Sequence, residues 1–356
     1  MNRINSFVPL VEATRGSIVE SIHFGAFAIV DIHGNLHASC GDPDLVTFMR
    51  SSSKPFQAIP LIELGGKEKF NLTDQEIALT CASHEGTDSH IRVLKNIQEK
   101  TGIQEDDLLC GTHPLKDKAT SEAMLLRGEK ISPNRHNCSG KHTSFLASAV
   151  LLNVPKQDYI LLKHPIQQIV LQTFSEMCQI PVEDILIGID GCSVPVFALP
   201  LMKAAQGMAR LCDPVDLPQT RADACRIITR AMTGFPEMVA GVDEFDTKLM
   251  QIGKGKIVTK RGAEGYQIIG LLPGACGKDS PAIGVAIKIS DGDPKERARP
   301  LVSLEILRQL GAFGEEQLQQ FPEFYTHAIR NWRKLEVGEL KPCFNLNSTS
   351  VKSTGY

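Results

Sequence analysis

Two β-rich segments at opposite ends of the chain constrain its fold more than any other feature. Near the start, residues 17–20 and 24–32 are rich in branched and aromatic side chains. The turn residues His33-Gly34-Asn35 follow them, so a hairpin is predicted. Near the end, residues 256–260 and 266–272 flank a glycine-containing turn, and a further apolar strand is predicted over 282–290.

The long region between these segments has helical patterning. Residues 88–101, for example, place Ile91, Leu94 and Ile97 on one face of a helix. An antiparallel sheet built from both chain ends, about residues 7–40 and 255–310, with a helical insertion between them is the economical arrangement, which predicts an α+β fold. Further helices are predicted over residues 121–128, 139–152, 157–178, 199–209 and 295–310, with Pro300 bending or restarting the last.

Length and composition exclude several classes of function. The chain has 356 residues, of which 42% are hydrophobic, so it can bury a substantial core. Its net charge of -3 gives no electrostatic reason to expect nucleic acid or an anionic membrane as partner, which leaves small molecules. We expect a single domain over residues 1–345 and a disordered, polar tail over 346–356.

The start of the chain lacks the pattern of an export signal, and no stretch is long and apolar enough to span a bilayer, so a cytoplasmic protein is expected. The ten cysteines are scattered through the sequence rather than packed into a short segment. This spacing argues against a framework of disulfide bonds.

The sequence Arg50-Ser51-Ser52-Ser53-Lys54-Pro55 contains an S-x-x-K pair. One helical turn separates Ser51 from Lys54, so a neutral lysine amine could take the proton of the serine hydroxyl. The alternative is a polar turn that opens a helix, with Lys54 in solvent. Pro55 suits the first turn of a helix, which places Ser51 on the turn that enters it, while Pro60 argues against a regular continuation.

A second hydroxyl and a second lysine fit the same chemistry. Ser83 follows an apolar helix and could equally cap that helix. Lys260-Arg261-Gly262 stands at the end of a predicted strand, where penicillin-recognising enzymes have a K-[ST]-G triplet, although an edge-strand lysine that discourages aggregation is the alternative. The order of these pieces brings Lys260 beside Ser51 and Lys54 if the sheet closes as predicted, and a second ammonium would disfavour protonation of Lys54.

Thiol, amine and imidazole groups cluster in Asn137-Cys138-Ser139-Gly140-Lys141-His142, where a helix begins. Cys138 and His142 could bind one zinc ion from one helix face, or Cys138 and Lys141 could do so with Cys192. A purely structural cluster, with a buried cysteine and a solvent-facing lysine, is the alternative, because no C-x-x-C or H-x-x-x-H pair supports a metal.

Taken together, these pieces resemble the Rhizobium etli type of L-asparaginase, a family distinct from the threonine-dependent asparaginases. The resemblance covers about residues 7–310. The matching motifs are, in chain order, Pro9-Leu10-Val11-Glu12 with Thr14-Arg15-Gly16, Arg50-Ser51-Ser52-Ser53-Lys54-Pro55, Cys81-Ala82-Ser83-His84, Cys110-Gly111-Thr112-His113-Pro114, Asn137-Cys138-Ser139-Gly140-Lys141-His142, Asp190-Gly191-Cys192, Lys260-Arg261-Gly262-Ala263-Glu264-Gly265 and Asp291-Gly292-Asp293. Arg261 departs from the family pattern, since a smaller residue is expected after the lysine.

The resemblance implies a fold similar to serine β-lactamases and glutaminases, and a homodimer. It implies two catalytic Ser-Lys tandems, Ser51 with Lys54 and Ser83 with Lys260, with Ser51 as the nucleophile. It also implies a zinc ion held by Cys138, Lys141 and Cys192. The resemblance further implies that Arg50, His84 and Asp190 line the substrate site, with Asp190 in the outer surroundings of the metal.

The implied reaction is hydrolysis of L-asparagine to L-aspartate and ammonia through an acyl-enzyme on Ser51, with the backbone amide of Ser51 as one oxyanion donor. Three other functions remain open. A glutaminase would use the same groups, because one methylene changes the binding free energy by only ~1–3 kcal/mol. The others are a different β-lactamase-like serine acyltransferase and a non-catalytic module stabilised by zinc.

Overall fold

The computed structural model describes residues 6–325 and 328–346. The strands in chain order are β1 (Val8–Arg15), β2 (Ile18–Asp31), β3 (Leu36–Cys40), β4 (Val46–Phe48), β5 (Leu186–Ile189), β6 (Pro195–Pro200), β7 (Ile257–Gly262), β8 (Tyr266–Leu271), β9 (Ile283–Ile289), β10 (Ala328–Arg330) and β11 (Glu336–Pro342).

The helices are α1 (Lys54–Glu63), α2 (Gly66–Lys69), α3 (Asp74–Thr80), α4 (Asp88–Thr101), α5 (Lys118–Leu126), α6 (Ser139–Leu151), α7 (Pro165–Cys178), α8 (Leu201–Cys212), α9 (Gln219–Gly234), α10 (Pro236–Val239), α11 (Phe245–Ile252), α12 (Ala298–Gln309) and α13 (Glu315–Leu318). Short 3-10 helices add single turns, among them Arg50–Ser53 directly before α1.

The chain divides into two compact units. The sheet unit contains the residues up to Thr47, Leu199–Asp213 and the residues from Arg261 onward. The helical unit contains Phe48–Ala198 and Pro214–Lys260. The prediction of one domain over residues 1–345 stays a prediction.

The sheet unit is built on strands from both chain ends. The strand order in this unit is β10-β11-β1-β2-β9-β8, with β3 paired to β2. β2 and β9 are antiparallel and place Phe27 opposite Ile287, and both residues are fully buried. This confirms the predicted α+β fold with an antiparallel sheet formed by both ends of the chain.

Helix α8 packs against β2, β8 and β9 within the sheet unit. The approach is close because β9 has a glycine at the contact. A Cβ atom on Gly284 would overlap the backbone carbonyl oxygen of Ala205 in α8. Only glycine therefore allows the helix to lie this near to the strand.

The helical unit is arranged around α1, in which every residue from Lys54 to Ile62 is buried. Helices α6, α7 and α9 contact it, and α3 contacts α4, α6 and α9. β5 and β6 pair antiparallel in this unit. The segment that enters the 3-10 helix is fixed to β6, because the backbone N–H of Met49 donates to the carbonyl oxygen of Phe197 at 3.1 Å.

Several predicted elements have different bounds in the structure. Residues 18–31, which include most of both predicted segments, form one long strand, β2, which also pairs with β1. Residues 157–164 are not helical, because Pro165 starts α7 and His164 caps it. Pro300 does not bend α12, since it lies in the first turn, where its missing N–H breaks no helical hydrogen bond. α1 also runs through Pro60 to Glu63.

Two further expectations concern the ends of elements and of the chain. The predicted sheet stopped near residue 310, but β10 and β11 extend it beyond β1. The predicted disordered tail begins at residue 346, and residues 347–356 lie outside the described residues. No helix within the described ranges is long and apolar enough to cross a membrane.

Candidate active site

All ten residues selected from the sequence lie in the helical unit. Among them, Ser51 belongs to a run of three serines on the 3-10 helix before α1. The Ser52 hydroxyl donates to the backbone oxygen of Lys260 at 2.7 Å, and the Ser53 hydroxyl donates to that of Arg50 at 2.7 Å. Both are buried, whereas Ser51 is partly exposed and its hydroxyl makes no hydrogen bond to a described residue.

Arg50, just before Ser51, has an unusual backbone. Its φ of 52° lies in the left-handed region. This backbone conformation is unfavourable for any residue with a Cβ atom. The Nε atom of Arg50 donates to Asp190 Oδ1 at 2.8 Å. This ion pair joins the turn that carries Ser51 to the loop between β5 and β6.

Asp190 is ionised despite its burial. Burial opposes the negative charge, but Lys141, Arg50 and the N–H of Gly191 together hold the pKa of Asp190 below its ordinary value. Asp190 therefore interacts both with Arg50, next to Ser51, and with Lys141.

Lys54 is fully buried, which excludes the alternative of a solvent-facing lysine. Its Nζ atom donates to the Ala82 carbonyl oxygen at 2.5 Å, to the Ser83 hydroxyl at 2.9 Å and to the Asn137 carbonyl oxygen at 3.4 Å. The lysine thus contacts the hydroxyl of Ser83 directly. This link between the two predicted tandems was not expected from the sequence.

Two histidines fix the backbone around Asn137. His113 Nε2 accepts the N–H of Asn137 at 3.0 Å, and His136 Nδ1 accepts the N–H of Cys138 at 2.9 Å. Burial lowers the pKa of His136 to about 4, so its ring stays neutral and able to accept. The carbonyl oxygen that receives Lys54 is held in place by these contacts.

His84 was predicted to contact substrate, and this stays a prediction. In the structure it is buried, and burial lowers its pKa well below the ordinary value. Its Nδ1 atom accepts the N–H of Gly86 at 3.0 Å, and Nε2 lies 2.9 Å from the Ser139 hydroxyl. Both ring nitrogens are therefore engaged by the protein.

Lys260 lies on β7, as predicted, and its side chain is fully enclosed. A lysine that guards an exposed sheet edge is therefore excluded. Burial raises the pKa of Cys81 to about 12, while Thr80, Lys260 and Lys54 oppose this shift, which places both lysines near Cys81. Arg261, the departure from the family pattern, pairs with Glu296 at 3.3 Å in the sheet unit.

The predicted zinc ligands come together. Lys141 Nζ lies 3.0 Å from Cys192 Sγ, and both residues are buried together with Cys138. A hydrogen bond from Cys192 lowers the pKa of Cys138 well below its ordinary value, with Lys141 acting in the same direction. Burial opposes the charge of Lys141, but the two sulfurs and Asp190 raise its pKa.

These groups fit a zinc ion by chemistry. Thiolate sulfur is a preferred zinc ligand, and one of the two sulfurs is already stabilised as a thiolate. Among the described residues, no group of three or more His, Cys, Asp or Glu side chains is placed to hold a metal. The third donor of this set would be the amine of Lys141, which must lose its proton to bind the metal.

Sequence reasoning missed a pair of carboxyl groups near Ser83. Burial and the neighbouring Glu244 raise the pKa of Glu85 to about 7. Glu244 in turn lies 2.7 Å from Lys116 Nζ. Glu85 follows a quoted motif in the sequence, but no sequence signal connects it to Glu244.

A family model described as L-asparaginase II matches residues 11–342. The chain belongs to the L-asparaginase II family. Membership of this family makes it an amidohydrolase that acts on a small molecule. The Rhizobium etli type within the family, and asparagine as the substrate, stay predictions.

Other comparisons concern the fold. A β-lactamase from Mycobacterium bovis is similar with 11% identity and a TM-score of 0.42, covering 81% of this chain and 95% of its own. A Bacillus glutaminase has 13% identity and a TM-score of 0.37, covering 81% and 92%. A Bacillus subtilis glutaminase in covalent complex with 5-oxo-L-norleucine has 12% identity and a TM-score of 0.37, covering 80% and 88%. No curated protein sequence matches the chain.

Proposed function

We propose that this L-asparaginase II family member hydrolyses the side-chain amide of L-asparagine through an acyl-enzyme on Ser51. The observation that carries the proposal is that the three neighbouring serines differ in their hydrogen bonds. Ser52 and Ser53 use their hydroxyls for hydrogen bonds to the backbone, while Ser51 keeps its hydroxyl for another partner. Partial exposure of Ser51 gives a substrate access to it.

In the first half of the reaction, Ser51 Oγ attacks the amide carbon and its proton moves to the neutral amine of Lys54. The C–N bond then breaks and ammonia leaves. The contact of 2.9 Å between Lys54 Nζ and the Ser83 hydroxyl supports Ser83 as the group that passes the proton to the departing nitrogen. A positive Lys260 stabilises the Ser83 oxygen while this proton is in transit.

In the second half, water attacks the ester carbon, the bond to Ser51 Oγ breaks and that oxygen recovers a proton. The product is L-aspartate. Arg50 and Asp190 form an ion pair next to Ser51, and we assign them to the binding of the charged groups of the amino acid. His84 is assigned a positioning role, because its ring accepts the N–H of Gly86 and so fixes the loop that carries Ser83.

We also propose that Cys138, Lys141 and Cys192 hold a Zn²⁺ ion. The buried contact between Lys141 and Cys192 supports this, because it gathers nitrogen and sulfur donors in one place. When bound, zinc would supply a fixed positive charge and keep the cysteines as thiolates. A homodimer and a cytoplasmic location, predicted from the sequence, are kept as part of the proposal.

Ammonia release from L-asparagine and L-glutamine, measured side by side, tests the function. We expect the purified protein to prefer asparagine, and Ser51→Ala to lower kcat by at least about 1,000-fold. Ser148→Ala is the matched control, because this buried serine in α6 donates only to the Ser144 carbonyl oxygen. It should keep full activity.

Each outcome separates the candidates. Ammonia release from L-glutamine at an equal or higher rate would favour a glutaminase over an asparaginase. Full activity in folded Ser51→Ala would reject Ser51 as nucleophile. A folded wild-type protein that hydrolyses neither amide but loses its fold on chelation would favour the non-catalytic zinc module, and rapid acylation of Ser51 by a β-lactam would favour another serine acyltransferase.

A further inference from the structure

Two oppositely charged side chains, Asp246 and Lys260, are enclosed together in the helical unit. Both side chains are 0% exposed, and Asp246 Oδ2 lies 3.9 Å from Lys260 Nζ. Opposite charges in a buried site stabilise one another, so removing either side chain leaves the other less well compensated. Sequence reasoning selected Lys260 but gave no sign of Asp246.

The fold fixes the position of Asp246. It is the second residue of α11, where free N–H groups and the helix dipole favour a carboxylate. The next residue, Thr247, anchors this turn, because its hydroxyl contacts the carbonyl oxygens of Pro236 at 3.0 Å and Gly241 at 2.5 Å. The carboxylate therefore occupies a defined place before any substrate binds.

Lys260 is held at two points. Its backbone oxygen accepts the hydroxyl of Ser52 at 2.7 Å, which ties β7 to the 3-10 helix of Ser51. Its Nζ atom lies beside Asp246 at a distance longer than a hydrogen bond. The carboxylate thus acts on the lysine through charge, which favours the ammonium form.

We propose that Asp246 is a positioning residue that holds Lys260 as an ammonium ion for the reaction. The catalytic consequence rests on the proposed function, in which a positive Lys260 stabilises the oxygen of Ser83 during proton transfer. The charged and titratable groups around Lys260 include Asp246 on α11, Lys54 on α1 and Cys81 after α3. Asp246 supplies a negative charge that favours the ammonium form of Lys260.

The charge of Lys260 can be measured without turnover, by NMR of lysine ammonium groups in ¹⁵N-lysine-labelled protein. The signal is assigned by its loss in Lys260→Arg. We expect the ammonium signal of wild type to persist to higher pH than that of Asp246→Asn, by at least about one pH unit. A neutral Lys260 at pH 7 in wild type, or identical titrations in both proteins, would overturn the proposal.

Asp107→Asn is the matched control, because Asp107 Oδ2 pairs with Lys156 Nζ at 2.5 Å elsewhere in the helical unit. It removes a carboxylate of the same kind and should leave the Lys260 titration unchanged. If Asp246→Asn does not fold, the titration of Lys260 in wild type and in Asp246→Glu tests the proposal instead. Asp246→Glu keeps the negative charge, so we expect it to keep Lys260 as an ammonium ion.

The pH profile of kcat/KM then tests the catalytic role. In Asp246→Asn we expect the alkaline limb to move to lower pH by about one unit, with wild-type behaviour restored in Asp246→Glu. If the alkaline limb of folded Asp246→Asn lies at the same pH as in wild type, the catalytic role of Asp246 is rejected. A wild-type protein without amidase activity rejects the proposed function instead, and the NMR titration still decides whether Asp246 holds the charge.

Discussion

Among single residues, Lys54 connects the most parts of the candidate site. Three oxygen atoms lie within hydrogen-bond distance of its Nζ atom, namely two carbonyl oxygens and the hydroxyl oxygen of Ser83. The carbonyl groups belong to Ala82 and Asn137, which are distant in sequence from Lys54 and from each other. Contacts of this kind depend on backbone positions, so the residue types in the sequence could not reveal them.

The zinc proposal leads to a prediction about Cys192. Cys192→Ala removes one of two sulfurs, so we expect the zinc content of purified protein, measured by elemental analysis, to fall at least about tenfold. Cys225→Ala, at another buried cysteine in α9, should keep the wild-type zinc content. An unchanged zinc content in Cys192→Ala would remove this residue from the site.

Individual elements show where sequence signals are sufficient. The predicted bounds of α4 match the structure because Thr87 caps its start and Gly102 takes the left-handed conformation at its end. β10 and β11 were missed because their residues are exposed or half-buried and lack an apolar run. Pairing of β11 with β1 and of β10 with β11, rather than local pattern, defines them as strands.

The start of α3 gives a prediction at the scale of one element. Thr73 and Glu76 form a capping box, in which the N–H of Thr73 donates to Glu76 Oε2 at 2.7 Å. Thr73→Ala should lower the free energy of unfolding by about 1 kcal/mol in urea denaturation while leaving kcat unchanged. Thr220→Ala, an exposed position in the first turn of α9 without a described side-chain hydrogen bond, is the control. Equal losses in both variants would contradict the role of the cap.

For the whole molecule, the Glu85–Glu244 pair predicts how stability depends on pH. The folded protein binds the proton of Glu85 more tightly than the unfolded chain, because its pKa is raised to about 7. This contribution is fully present below the ordinary glutamate pKa and is lost as the pH rises through about 7.

Glu85→Gln cannot lose a proton at this position. We therefore expect the melting temperature of the variant, relative to wild type, to rise between pH 5 and pH 8 in thermal unfolding experiments. Glu99→Gln, at an exposed position of α4, should follow wild type across this range. A constant difference between Glu85→Gln and wild type at all pH values would contradict the raised pKa of Glu85.

The overall architecture was predictable because alternating and apolar strand patterns at both chain ends are strong local signals. The residues of the candidate site were selected from motifs that group serine, lysine and cysteine, and their roles stay predictions. The contacts between these side chains were less predictable than the residues themselves. Asp246 and Lys260 carry no shared motif, and only the folded chain brings a helix start in α11 beside β7.

The identity of the nucleophile is the central claim, and the contact of Lys54 with Ser83 makes it the point to test. The direct measurement is peptide mass spectrometry after wild-type protein is mixed with L-asparagine and quenched rapidly in acid. We predict an aspartyl ester on the peptide that contains Ser51, located at Ser51 by fragmentation. An ester on Ser83, with Ser51 unmodified, would contradict the account.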